Sequence, residues 1–343
     1  MLRFTVLIVL LISLGTTAYA RTITDMAGRK VTIPDRIEKV VGLSPPVTYL
    51  VYAIDPLLLA GLNFPLWENE KIYTSEHFKK LPVIGGMVGD GRNLNLELLL
   101  QIKPDIAFLW ERSGGDTTAI NKEYERLLKP LGIPTVYVHI GALSDYPAAI
   151  LFMGDVLGRS ERGTKLNRYA VTAQQKVARA QSGLPPGKKI PVYYAEGIDG
   201  LSTDGDGSMH TELIPLSGGV NVSRLQATSA KGMERISMEQ LILYDPEVIL
   251  VKEKKGYEQI MKDVRWKQLR AVRNKKVFLI PHVPFNWFDR PPSYMRFLGV
   301  QWLANLLHPE LYKIDMVKET RAFYSLFMFK ELSDQEARDV LWP

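Results

Sequence analysis

A chain of 343 residues is long for one small domain and suits two lobes of about 120–150 residues each. Apolar residues make up 46% and charged residues 23%, which excludes a disordered tail, a collagen-like fibre and a multispan membrane protein. Lys and Arg number 43 against 37 Asp and Glu, a scattered +6 that argues against nucleic-acid binding, and the absence of cysteine excludes disulfides, thiolate metal sites and a cysteine nucleophile.

Residues 1–20 have the form of a secretory signal. Arg3 supplies the positive start, residues 4–14 are almost wholly apolar, and Ala18-Tyr19-Ala20 gives a small-x-small cleavage pattern. The apolar run is well short of the roughly 20 residues that span a bilayer. The signal contains no Cys, so the expectation is an exported, soluble chain that is not a lipoprotein.

From residue 36 onward short apolar runs alternate with helical patterns. Strands are predicted at 39–43 (KVVGL), 58–62, 106–110 (IAFLW) and 134–138 (PTVYV), with helices at 94–102 and 119–131 between them. This spacing is that of parallel βαβ units. The alternation then breaks. One helix is predicted over 144–157, and a long one from Ser160 to about residue 182, with Leu166, Tyr169, Ala173 and Val177 on one face. Strands resume at 190–195 (IPVYYA), 247–251 (EVILV) and 276–280 (KVFLI), with helices at 212–216, 237–243, 294–307, 316–330 and 333–341. The expected class is α/β: two Rossmann-like lobes, each with a mainly parallel central sheet, joined by a single long backbone helix. The lobes are predicted at 21–143 and 185–343, with a connecting segment over 144–184.

Catalytic motifs are missing: there is no G-x-S-x-G, no H-E-x-x-H and no S-x-x-K beside S-D-N. The glycine run 85–91 lacks dinucleotide and phosphate-loop spacing, and 204–208 (DGDGS) has Pro215 where a calcium loop needs Glu. None of the five histidines pairs with another at ligand spacing. His139 and His282 follow predicted strands, and His210, before a helix in a glycine-rich loop, is the candidate for contact with a metal. Aromatics gather at or near carboxyl ends of predicted strands in both halves: Trp67, Trp110, Tyr194, Trp287 and Phe288. Such positions line ligand crevices in open α/β folds, and Arg92, Arg112 and Arg290 in the same loops suit carboxylates or oxyanions.

Several segments together resemble the periplasmic substrate-binding proteins of ABC importers for metal chelates. Thr24-Asp25-Met26-Ala27-Gly28-Arg29 is similar to that family's opening, and Ser44-Pro45 to its first strand-end loop. Leu94-Asn95-Leu96-Glu97 followed by Lys103-Pro104-Asp105, and Ser237-Met238-Glu239 followed by Asp245-Pro246-Glu247, resemble a matching segment in each half. His210-Thr211-Glu212-Leu213 with Gly218-Gly219-Val220-Asn221 resembles a further one. The resemblance implies two lobes on a rigid helix and no catalysis or cofactor. It implies a monomeric periplasmic receptor whose partners are the permease subunits and a small metal complex, foremost an iron chelate such as a siderophore complex, haem or cobalamin. Glu97 and Glu239 occupy the positions that dock the permease, and Ser44, Pro45, Trp110 and the Trp287–Arg290 stretch fall at positions lining the cleft. The commoner family loop carries an acid where Tyr49 stands. Other readings are an oxyanion such as molybdate or tungstate, held by Ser44, Thr48 and Ser208, a nickel or cobalt complex, a sensor or adhesion module, and, from another class, an exported hydrolase.

Overall fold

The computed structural model describes residues 20–87, 93–112, 117–185, 187–225 and 232–343. The signal-like segment before Ala20, and Arg92, lie outside the described residues. A hairpin opens the described chain: β1 (Ala20–Thr24) pairs antiparallel with β2 (Lys30–Pro34). Its turn is set by Gly28 at φ +79° and by Asp25, whose carboxylate accepts from the Ala27 and Arg29 amides at 3.1 and 2.9 Å.

The first lobe is built on β3 (Val40–Gly42), β4 (Ile106–Glu111) and β5 (Thr135–His139), parallel and in the order β3-β4-β5. The second has β6 (Ile190–Ala195), β8 (Gly219–Asn221), β10 (Val248–Val251) and β11 (Val277–Leu279), parallel in the order β11-β10-β6-β8. A small antiparallel pair, β7 (Ser202–Thr203) with β9 (Glu234–Arg235), stands beside it. Parallel strands covered on both faces must be apolar throughout, and β10 (VILV) is buried along its whole length. The run 58–62 is no strand: residues 56–58 form a single 3-10 turn after Asp55, and Leu59 and Leu62 make isolated bridges to Val40 and Val83.

The helices that matter for the site and the lobe contacts are α1 (Pro45–Ile54), α2 (Leu96–Ile102), α3 (Tyr146–Val156), α4 (Ser160–Ser182), α5 (Met238–Tyr244) and α6 (Arg296–Leu307). The 23 residues of α4 are the predicted connecting helix and span about 34 Å. Leu166, Ala170, Ala173 and Val177 bury one face. Among the described residues no helix is long and apolar enough to cross a membrane. The predicted helix over 316–330 is interrupted: the α-helix Met316–Phe323 passes into a π-turn, Tyr324–Met328. Arg162 of α4 takes the Leu326 carbonyl there, so the regular ladder gives way.

The two lobes share one apolar core that runs through α1, α3, α4 and α6. Tyr49 of α1 stacks on Phe285 of the second lobe with ring centroids 3.7 Å apart, and Tyr146 meets Phe297 edge-on at 5.7 Å. Glu212 accepts from the Leu143 amide at 3.0 Å and pairs with buried Arg296. The crossing of α3 and α4 depends on two glycines. A Cβ on Gly163 would lie 3.1 Å from the Ile150 carbonyl oxygen and 3.3 Å from Gly154 Cα. Glycine in mid-helix is unfavourable alone, and here it permits backbone contact. Gly163→Leu is expected to lower the unfolding free energy by about 1–3 kcal/mol in urea titration, and an unchanged midpoint would contradict so close a crossing.

Candidate functional site

The carboxyl ends of both sheets carry the polar chemistry. In the first lobe β3 leads through Leu43 into Ser44, the N-cap of α1, and the first two helical residues are Pro45 and Pro46. Proline suits the first helical turn because its missing N–H costs nothing there, but two prolines also remove two backbone donors. Ser44 is 1% exposed and its Oγ has no hydrogen-bond partner. Thr48, by contrast, is committed: its Oγ1 lies 3.1 Å from the Gly42 carbonyl and 2.8 Å from Asn63 Oδ1. Asn63 in turn donates to the Gly42 and Gly85 carbonyls, both at 2.9 Å. Tyr49 serves the inter-lobe stack, and burial holds its hydroxyl well above the ordinary phenol range.

At the end of β4, Trp110 is half-buried, with Nε1 donating to the Ile140 carbonyl at 2.8 Å and the Arg112 guanidinium 5.4 Å from its ring centre. Glu111 pairs with His139 Nδ1 at the end of β5, and Asp145 lies 3.6 Å from His139 Nε2. Trp67 is 72% exposed on a short helical turn, its amide capped by the Glu70 carboxylate at 2.8 Å.

The second lobe holds a buried ionic cluster centred on Arg290. Its Nε donates to Glu196 at 2.7 Å, its Nη2 to Asp204 at 2.6 Å, and Asp289 Oδ2 stands 3.1 Å from Nε. Tyr194 donates to the other oxygen of Asp289 at 2.5 Å. Lys252 lies 3.8 Å from Glu196 and 2.9 Å from Glu253. Glu196 follows β6 directly and is fully buried, as is Asp289. Burial, then the nearby charge of Asp289 and a hydrogen bond to Asp204, pushes Glu196 up to about 9. Its surroundings therefore favour the protonated acid at neutral pH. Burial pushes Asp204 the other way from the net result: the Glu196 hydrogen bond and the His210 and Arg290 charges outweigh it and hold this carboxyl below its ordinary range.

His210 joins this cluster. It is 8% exposed, with Nδ1 2.8 Å from Asp289 Oδ2 but out of line for a hydrogen bond, and its Nε2 has no partner. Ser208 is committed to Asp204 at 2.9 Å. The structure thus brings Tyr194, His210 and Arg290 together. Trp287 and Phe288 go elsewhere: they are 0% and 1% exposed and packed in the core, where Phe288 meets Tyr194 with centroids 4.9 Å apart. Sequence reading missed Glu196, took Asp204 only as part of a turn, and included Asp289 in the cleft-lining stretch without giving it a role. The signal was an acid directly after a strand, and an Asp beside the chosen Arg. Among the described residues no three His, Asp or Glu side chains are grouped to hold a metal ion. A cavity of about 580 Å³ lies elsewhere, against α4, lined by Val177, Gln181, Leu216 and Val300. Its lining has one charged side chain, Lys189; open α/β folds bind ligands beyond the carboxyl ends of their strands, so the cluster there is the stronger candidate.

Glu97 and Glu239 occupy like places in the two lobes. Each is exposed in the first turn of a seven-residue helix, capped by Asn95 or Ser237 and ended by a left-handed residue, Lys103 at φ +51° or Asp245 at φ +37°. The start of α2 is tied by the Gly85–Leu94 bridge and the Met87 amide to Leu43, at the carboxyl end of β3. The start of α5 is tied through Ile236 to Leu201, next to the β7 strand that bonds Glu196. Both glutamates therefore lie toward the carboxyl-end edge of their sheets.

The state of Glu196 has a measurable consequence. The folded protein keeps this proton while the unfolded chain loses it near its ordinary 4.5, so stability falls as pH rises from about 4.5 to about 9. Glu196→Gln, which keeps a donor for Asp204 and an acceptor for Arg290, should flatten that slope in thermal unfolding between about pH 5 and 8. A slope identical to wild type would contradict a neutral Glu196.

Comparison with known proteins bears on what this site serves. A family model described as periplasmic binding protein matches residues 66–284. The solved ABC transporter solute binding protein from Sulfurospirillum deleyianum is 36% identical, with TM-score 0.85 over 93% of this chain and 98% of that one. The molybdate-binding protein MolA of Haemophilus influenzae is 27% identical over 93% of this chain and 94% of its own length. The vitamin B12-binding protein of Salmonella typhimurium is 26% identical over 78% and 90%. With two parallel-sheet lobes on one long helix, the chain belongs to the periplasmic binding protein family, the substrate-binding components of ABC transporters.

Proposed function

We propose that the chain captures a metal complex with an organic shell, foremost an iron chelate, between its lobes and delivers it to the permease of an ABC importer. The observation that carries this reading is the state of Arg290. Three carboxyl groups within 3.1 Å already surround its guanidinium, so it offers little uncompensated charge to a bare dianion. A small oxyanion also needs convergent N–H and O–H donors. Thr48 and Ser208 are committed within the protein, and Pro45 and Pro46 lack the N–H groups that a helix start would offer. A larger ligand can use Trp110, Arg112 and Trp67 in the first lobe and the unpartnered His210 Nε2 in the second, which suits the metal or an acidic group of the cargo. Glu97 and Glu239 then serve as the two acidic contacts with the permease.

A second reading is a tetrahedral oxyanion. It is favoured by the unpartnered Ser44 and Thr203 hydroxyls and by the likeness to a molybdate-binding protein. Calorimetric titration separates the two. The panel is a ferric catecholate, a ferric hydroxamate, haem, cobalamin, a nickel chelate, molybdate and tungstate. One chelate should bind at micromolar Kd or tighter, and the oxyanions should not bind. Tight molybdate binding with no chelate binding would establish the second reading instead. For that chelate, Glu97→Ala with Glu239→Ala should abolish uptake while leaving Kd unchanged, and normal uptake would remove the docking role.

A further inference from the structure

Leucine at a helix surface is ordinary when it occurs singly. Here one stands close to the exposed glutamate of a short helix in each lobe, although not at the same helical position. On α2, Leu100 is 51% exposed and stands three residues after Glu97. On α5, Leu243 is 79% exposed and stands four residues after Glu239. Spacings of three and four put each leucine beside its glutamate on one helix face. Leu99 and Leu241 point the other way and are buried, so neither exposed leucine is needed to hold its helix down. Arg265, which follows the exposed Val264 in the chain, is close enough to Glu239 to act on its charge.

We propose that Leu100 and Leu243 are the apolar half of the docking surface, each seating in a pocket of one permease subunit while the adjacent glutamate meets a basic residue. This rests on the reading of Glu97 and Glu239 as permease contacts. The occupant follows from the duplication. Two like patches, each an exposed Leu beside an exposed acid, one per lobe, fit a partner that presents two like surfaces, as a pair of related subunits does. A carboxylate alone gives orientation and a fast but salt-sensitive encounter. An adjacent buried leucine supplies attraction that salt does not screen.

The test uses the full chain and its cognate permease–ATPase complex in lipid nanodiscs, with affinity measured at 50 and 500 mM NaCl and no ligand added. Leu100→Ser with Leu243→Ser should weaken binding about tenfold or more at both salt concentrations and keep the wild-type salt slope. Glu97→Gln with Glu239→Gln should instead flatten that slope. Both leucines are exposed, so the variants should fold, and unchanged thermal unfolding checks this. Wild-type affinity in the leucine pair, at both salt concentrations, overturns the proposal. An unchanged slope in the glutamate pair, with weakened leucine variants, keeps the apolar contact and removes the docking role of the acids. No binding by the wild-type chain overturns both.

Discussion

One partly buried cation organises the second lobe. Arg290 draws together Glu196 at the end of β6, Asp204 after β7, and its own neighbour Asp289, and so fixes three loops at the carboxyl edge of the sheet. Three carboxylates around one guanidinium would repel one another if all were ionised, and the arrangement is relieved by the proton that Glu196 retains. Tyr194 donates to one oxygen of Asp289, and His210 Nδ1 stands 2.8 Å from the other without a hydrogen bond. The cluster leaves several buried polar atoms unpartnered, among them both nitrogens of His210, Thr203 Oγ1 and Glu196 Oε2.

The two lobes are coupled to each other through one shared apolar core. The long α4 crosses α3 in backbone contact at Gly163 and Gly154, Arg162 ties α4 to the Ala53 and Leu326 carbonyls, and Tyr49 stacks across the lobes on Phe285. We propose that a scaffold coupled this way binds its ligand with little closure and a small ordering cost. On that reading it also holds the two proposed docking residues, Glu97 and Glu239, on one frame.

Much of this architecture was legible in the residues. Continuous apolar runs such as IAFLW and VILV announced parallel strands, and the stripe of Leu166, Ala173 and Val177 announced α4. The run at 58–62 misled because apolar composition alone does not distinguish a strand from a segment bridging one at single residues. The site was less legible. The partners of Arg290 lie 94 and 86 residues away in the chain, a separation at which local pattern carries no signal. A strand-end position does not tell which way a ring turns, and Trp287 and Phe288 turn into the core. Nor does the sequence reveal that Tyr49 stacks across the two lobes on Phe285.

Whether this cleft holds a metal inside an organic shell is tested most directly by native mass spectrometry with elemental analysis, on the protein isolated gently from its own source. The expected result is a non-covalent adduct of chelate size containing one transition-metal ion per chain. An adduct of bare oxyanion size containing molybdenum or tungsten would contradict it.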